Sequence, residues 1–240
     1  MSTRKTETSP QTLARVGGAL YLIIILVGIF GQAFLRGQFV VRHDAVATAQ
    51  NIVESEFLWR TGIAAELAML ACAITLAMIF YVLFKPVSRR LALLAVLFNL
   101  SSIVLEIGNK LHLFSAVAYL GDAPYLTAFE PAQLQSLAYL AILTEQTGFA
   151  VSLLFFGFVC LLLGYLIRHS GFMPKAIGVL MQIAGACYLT NSFAYFIAPA
   201  FEATLLPWIL IPAFVGELSL CLWMLVRGVD GPKWQVLHSG

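Results

Sequence analysis

Residues Gln146–Ile167 read QTGFAVSLLFFGFVCLLLGYLI, a run without one charged side chain. At 1.5 Å of rise per residue, such a run crosses the roughly 30 Å hydrocarbon core of a bilayer as a single α-helix. It is too long and too evenly apolar for a barrel strand, which is about ten residues long and alternates in polarity. Phe155-Phe156-Gly157-Phe158 inside it reads as lipid-facing or core packing rather than an aromatic box.

Five further long apolar runs flank it, at 16–35, 61–84, 91–119, 176–197 and 207–226. The 240-residue chain is 60% apolar and 11% charged, with a mean hydropathy of +0.90, which leaves little for a soluble domain. The expected fold is all-α: a polytopic membrane protein, a six-transmembrane-helix bundle over 16–226 with short outer interfacial helices. Residues 1–15 and 227–240 are its tails. A net charge of +2 is too small to imply a nucleic-acid partner; membrane lipid is the partner the composition demands.

Charge placement sets the expected orientation. Arg4, Lys5, Arg15, Lys85, Arg89, Arg90, Arg168, Lys175, Arg227 and Lys233 fall on one side of the alternating spans. Arg36, Arg42 and Arg60 fall on the other, with Asp44, Glu54, Glu56, Asp122, Glu130, Glu145 and Glu202. The positive-inside rule then puts both tails in the cytoplasm. A competing reading makes Val16–Phe30 a signal-peptide core cut near Gly31-Gln32-Ala33, but the apolar run continues past that point.

The outer linkers carry helix signals. Asp44 caps a helix from Ala45 to about Phe57, and Pro131 opens another, 131–143, able to run on into the fourth span. Arg15-Val16-Gly17-Gly18 and Lys175-Ala176-Ile177-Gly178 open spans alike, and Glu66, Glu145 and Glu217 sit near the starts of returning spans. Three tandem hairpins would explain this, and so would the ordinary polarity of span ends. Cys72, Cys160, Cys187 and Cys221 lie in apolar runs without Cys-x-x-Cys spacing and read as small core residues. Trp59, Trp208, Trp223 and Trp234 lie near span ends and read as interfacial anchors.

Several motifs together resemble a known family. They are Ala14-Arg15 before a glycine-rich first span, Asp44-Ala45 through Ala47-Thr48-Ala49-Gln50-Asn51-Ile52 to Glu56 and Arg60, Lys85-Pro86-Val87, and Ser170-Gly171-Phe172 with Pro174 and Gly178. The chain resembles, over nearly its whole length, the bacterial six-span membrane proteins grouped as a domain of unknown function, DUF4386-like. The resemblance implies a multi-pass protein of the bacterial cytoplasmic (inner) membrane and lends no reaction. That family carries an arginine near the position of Asn99, so the role of that basic group does not carry over.

Ionisable groups inside spans cost about 2.5–3.5 kcal/mol each at mid-bilayer and need a reason. Asn99, Ser102, Glu106 and Asn109 recur at helical spacing on one face, which must point inward, and Glu106 and Lys110 are four residues apart, in pairing reach. Glu66 and Glu217, if unpaired, would hold protons. The candidate ligand-binding residues are Glu66, Glu106, Lys110 and Glu217, with Asn109, Gln146 and Asn191 as helpers around an outward-facing carboxylate-lined cavity for a proton, cation or small polar ligand. Two other readings stay open: polar glue in a non-catalytic scaffold or partner-binding module, and a membrane-embedded enzyme using the acids with His112. No phosphate loop, nucleophile elbow or zincin motif occurs, His43, His169 and His238 show no metal-ligand spacing, and no cofactor is called for.

Overall fold

A computed structural model describes residues 9–239, without the side chains of residues 33–35 and 239; Arg4 and Lys5 lie outside the described residues. Ser9 accepts a hydrogen bond from the Thr12 amide and opens α1, Pro10–Ile29, with proline at the first position, where no intrahelical amide bond is lost. The helix passes through a wide π turn, Phe30–Leu35, into α2, Arg36–Phe39, so that Pro10–Phe39 forms one 30-residue span. Asp44 caps α3, Ala45–Glu54, through the Ala47 amide. This helix stops three residues before the expected Phe57, because Ser55 is non-helical and α4, Glu56–Phe84, starts afresh.

Ser88 caps α5, Arg89–Tyr119, and a 3₁₀ turn at Pro124–Ala128 leads to α6, Pro131–Ser170. The helix expected at 131–143 does run straight into the fourth span, giving 40 continuous residues, about 60 Å at 1.5 Å each. Gly171 ends it at φ 69°, a left-handed position that glycine adopts without a Cβ clash. There follow α7, Lys175–Ile197, α8, Pro199–Leu205, α9, Leu210–Val226, and α10, Gly231–Ser239.

Among the described residues, five helices are long and apolar enough to cross a membrane: Pro10–Phe39, α4, α5, α6 and α7. The sixth expected span differs. Leu206, ahead of Pro207, is extended, as residues before proline tend to be, and α8 and α9 meet that criterion only as a pair bent by 56°. The count is six if that pair is one broken crossing.

The ends of the chain lie together. Gln11 Nε2 donates to the Arg227 carbonyl at 2.8 Å, the Asp230 amide to Phe172 O at 3.2 Å, and Trp234 Nε1 to Leu83 O at 2.9 Å. The start of α1, the α4–α5 and α6–α7 turns and the close of α9 therefore share one end of the bundle, here the basic end. α3, the 124–128 turn and α8 form the far end. The segment read as a plain tail folds back as α10, burying Trp234. Trp59, also expected at an interface, is buried and donates to Leu113 O. Trp208 is exposed. The four cysteines are free; Cys160 and Cys221 are buried, Cys72 and Cys187 partly so.

Small residues bring the backbones close. Gly157 and Gly164 of α6 face Gly185 and Gly178 of α7, and a Cβ on Gly164 would stand 2.5 Å from the Gly178 carbonyl oxygen. Packing of this kind replaces the hydrophobic driving force, which is absent between helices in lipid.

Candidate functional site

The buried face of α5 carries Asn99, Ser102, Glu106, Asn109 and Lys110, all at 9% exposure or less, as their helical spacing requires. Ser102 hydrogen-bonds Ser152 of α6 at 2.9 Å between hydroxyls. Asn109 packs so tightly on Gly148 of α6 that any side chain there would meet its amide. Toward the far end, roughly 30 Å from the start of α5, this polar row enters a cluster of charges.

Arg36 stands at the centre. Its guanidinium donates to both carboxylate oxygens of Glu66, at 2.7 and 3.1 Å, and to both of Glu145, at 2.6 and 3.3 Å. Lys110 Nζ lies 2.7 Å from Glu66, 3.0 Å from Glu145 and 3.2 Å from Glu106, whose other oxygen accepts from Asn109 at 3.2 Å. Five charged side chains from the first span, α4, α5 and α6 thus meet, with Glu145 fully buried and Lys110 at 2% exposure. The bidentate fork suits Arg36 to two planar carboxylates, a geometry that a lysine cannot supply.

Three carboxyl groups stand against two basic side chains, so acids outnumber bases by one in the cluster. The space beside them, lined by Arg36, Trp59, Gly62, Ile63, Glu66 and Leu113, is about 10 Å³, room for one water molecule at most. Among the described residues no three His, Cys, Asp or Glu side chains are arranged to hold a metal ion.

Of the residues singled out in the sequence, Glu66, Glu106, Lys110 and Asn109 are brought together. Glu217 is not. It sits on α9, half-buried, accepting from the Tyr21 hydroxyl at 2.9 Å and from the Tyr188 hydroxyl. Gln146 is exposed on α6. Asn191 is buried on α7, its Oδ1 without a hydrogen-bond partner, next to Ser192, whose hydroxyl is likewise unsatisfied. Glu66 is not left without a basic partner, because Arg36 and Lys110 both reach it. His112 takes no part in any of these bonds.

Arg36 and Glu145 are the members that sequence reasoning left out of the candidate set. Arg36 looked like an outer-loop cation just past a span. The π turn before it, where the Arg36 amide bonds Gly31 O five residues back, carries the helix on and aims the residue inward. Gly31 permits this approach, since a side chain there would collide with the Glu66 carboxylate. A glycine one turn before an arginine, opposite a spanning glutamate, is the available signal.

Comparison with known proteins places these residues in a family. A family model described as Domain of unknown function (DUF4386) matches residues 16–228. An uncharacterized protein of Archaeoglobus fulgidus is 26% identical over 157 residues, covering 65% of this chain and 76% of that protein. No solved structure matches.

Proposed function

The chain belongs to the DUF4386 family, whose description carries no activity, and we propose from its own residues that it is a membrane protein binding a proton or small monovalent cation at the Arg36–Glu66–Glu106–Lys110–Glu145 cluster. The observation that carries this reading is the unequal count of buried charges, three acids to two bases, drawn from four spans. A surplus charge in low dielectric is costly, and uptake of one proton or cation removes it. Glu106 is the acid with the weakest cation contact, a single 3.2 Å pair, and is the residue that the incoming charge would meet. In this reading Asn109 orients Glu106, while the hydroxyls of Ser102 and Ser152 and the Asn99 amide extend the polar row toward mid-bundle. Glu217, held among the described residues by the phenols of Tyr21 and Tyr188, and Asn191 would be polar positions apart from this cluster.

The test is thermal melting of the purified protein in detergent. Sodium or lithium chloride replaces choline chloride at equal ionic strength, at about pH 8 and again at about pH 6. The expected result is a shift on adding the small cation or on acidification, lost in Glu106→Gln, which removes the surplus charge without removing the shape. A ligand at 100 times its dissociation constant adds about 2.7 kcal/mol, enough to see. Equal melting under all conditions would overturn the reading.

A second reading is favoured by the tight filling beside the cluster. Here the charges form a fixed lock in a non-catalytic scaffold, and the contacts are made at the far end. Between α3 and the facing ends of α5 and α6 lies a groove of about 340 Å³, lined by Ala49, Val53, Tyr119, Pro131 and Leu134, with Glu54 and Gln135 at its rim. Equal melting in every salt, with loss of stability on breaking the cluster, supports this alternative.

A further inference from the structure

At the basic end, the lipid-facing side of α5 and α6 is not smooth. A groove of about 500 Å³ runs between them, floored by Leu94 and Phe98 of α5 and by Phe158, Leu161 and Tyr165 of α6, and closed by Gln182 of α7. The volume falls within the 300–1,000 Å³ usual for ligand sites. All three helices are long and apolar enough to span a membrane, so hydrocarbon is what covers this surface.

Gln182 is the polar residue of the groove lining, and Arg168 adjoins it. Arg168 is exposed near the close of α6, and its side chain reaches along the bundle to Gln182 of α7. Its guanidinium donates to Gln182 Oε1 at 2.8 Å. Gly178 makes this possible: a Cβ there would stand 2.6 Å from Arg168 Cγ. Among the described residues no carboxylate pairs with Arg168, although it offers five N–H donors. His169 stacks on the groove residue Tyr165, 4.1 Å between ring centroids. Arg90 stands exposed one turn before Leu94 on the facing helix.

We propose that this groove is a binding site for one anionic phospholipid, its acyl chain along Phe98 and Phe158 and its phosphate on the free edge of Arg168, with the Gln182 amide as a second donor. Two features argue for that occupant over others. The apolar floor opens to lipid, and the charge at its end complements a phosphodiester, which takes a bidentate arginine well. Anionic headgroups also concentrate where basic residues collect at a membrane surface.

Delipidated full-length protein, exposed in detergent to equal amounts of phosphatidylglycerol or phosphatidylcholine, is read by native mass spectrometry for retained lipid. The expected result is a roughly fivefold preference for phosphatidylglycerol, the advantage that one basic residue gives near an anionic surface. Arg168→Gln abolishes the preference, and Leu94→Trp, which fills the apolar floor, lowers retention of lipid at this site. Arg227→Gln, a basic residue at the same end but away from the groove, keeps the preference. Equal retention of both lipids, an unchanged preference in Arg168→Gln, or an equal loss in Arg227→Gln would overturn the proposal. Displacement by millimolar inorganic phosphate would overturn it too, since that result describes a headgroup site without the acyl groove.

Discussion

Arg36 holds two carboxylates from different helices, so its loss strands two buried acids on Lys110 alone. Breaking a buried charge pair by removing one partner costs about 3–5 kcal/mol, because the charge left behind has neither water nor a counter-ion. Arg36→Leu is expected to destabilise the protein by about that amount, read as a large fall in melting temperature in detergent. Glu217→Gln should cost about 1 kcal/mol or less, since the amide keeps one oxygen for a phenol and leaves no ion unpaired. A similar cost at both positions would mean that Arg36 is not the keystone. The face of α5 was legible in the sequence because spacing alone assigns residues to one side of a regular helix. Arg36 was not, because a π turn breaks the 3.6-residue count ahead of it, and no periodicity argument anticipates an added residue. Glu145 was visible as an acid near a span start, but which of several cations it would meet is decided by helix neighbours that no single chain pattern names.

At the scale of elements, α6 and α7 depend on missing side chains. Gly164→Val is expected to cost about 1–3 kcal/mol through overpacking, because the added atoms meet backbone, which cannot rotate aside. An exposed glycine with open space around it, Gly108, gives the control: Gly108→Ala should be neutral or slightly stabilising. α10 offers a pH test. Hydrogen bonds from the Lys233 side chain and backbone amide hold the exposed Asp230 carboxyl below its ordinary value. Its contribution is therefore complete above the unfolded value of about 3.9 and is lost as pH falls through the lower folded value. Docking of Trp234 on Leu83 should loosen only in that acid range, followed by tryptophan fluorescence, and Asp230→Asn should flatten the profile. The long helices, the Asp44 cap and the helix start at Pro131 were readable because each is a local chemical event. The bend between α8 and α9 was missed because hydropathy averages across Pro207 without sensing direction.

For the whole molecule, the proximity of Gln11 to Arg227 puts both described termini at one end of the bundle. That predicts the outcome of a labelling experiment with a membrane-impermeant thiol reagent on variants of a cysteine-free background. Lys85→Cys and Lys233→Cys should label from one side of the membrane, and Asp122→Cys from the other. If orientation follows the positive-inside rule, the first pair is cytoplasmic. Labelling of Lys85→Cys and Lys233→Cys from opposite faces would mean that the bent α8–α9 pair turns back without crossing.

The π turn at Phe30–Leu35 has a genetic corollary. It stores one residue more than regular winding would, and in an α-helix each residue advances the side chains by about 100°. An in-frame deletion of a single codon there would let the helix rewind evenly and rotate the guanidinium of the following arginine away from both glutamates. So small a lesion would act like loss of the arginine itself while leaving every charged residue still encoded.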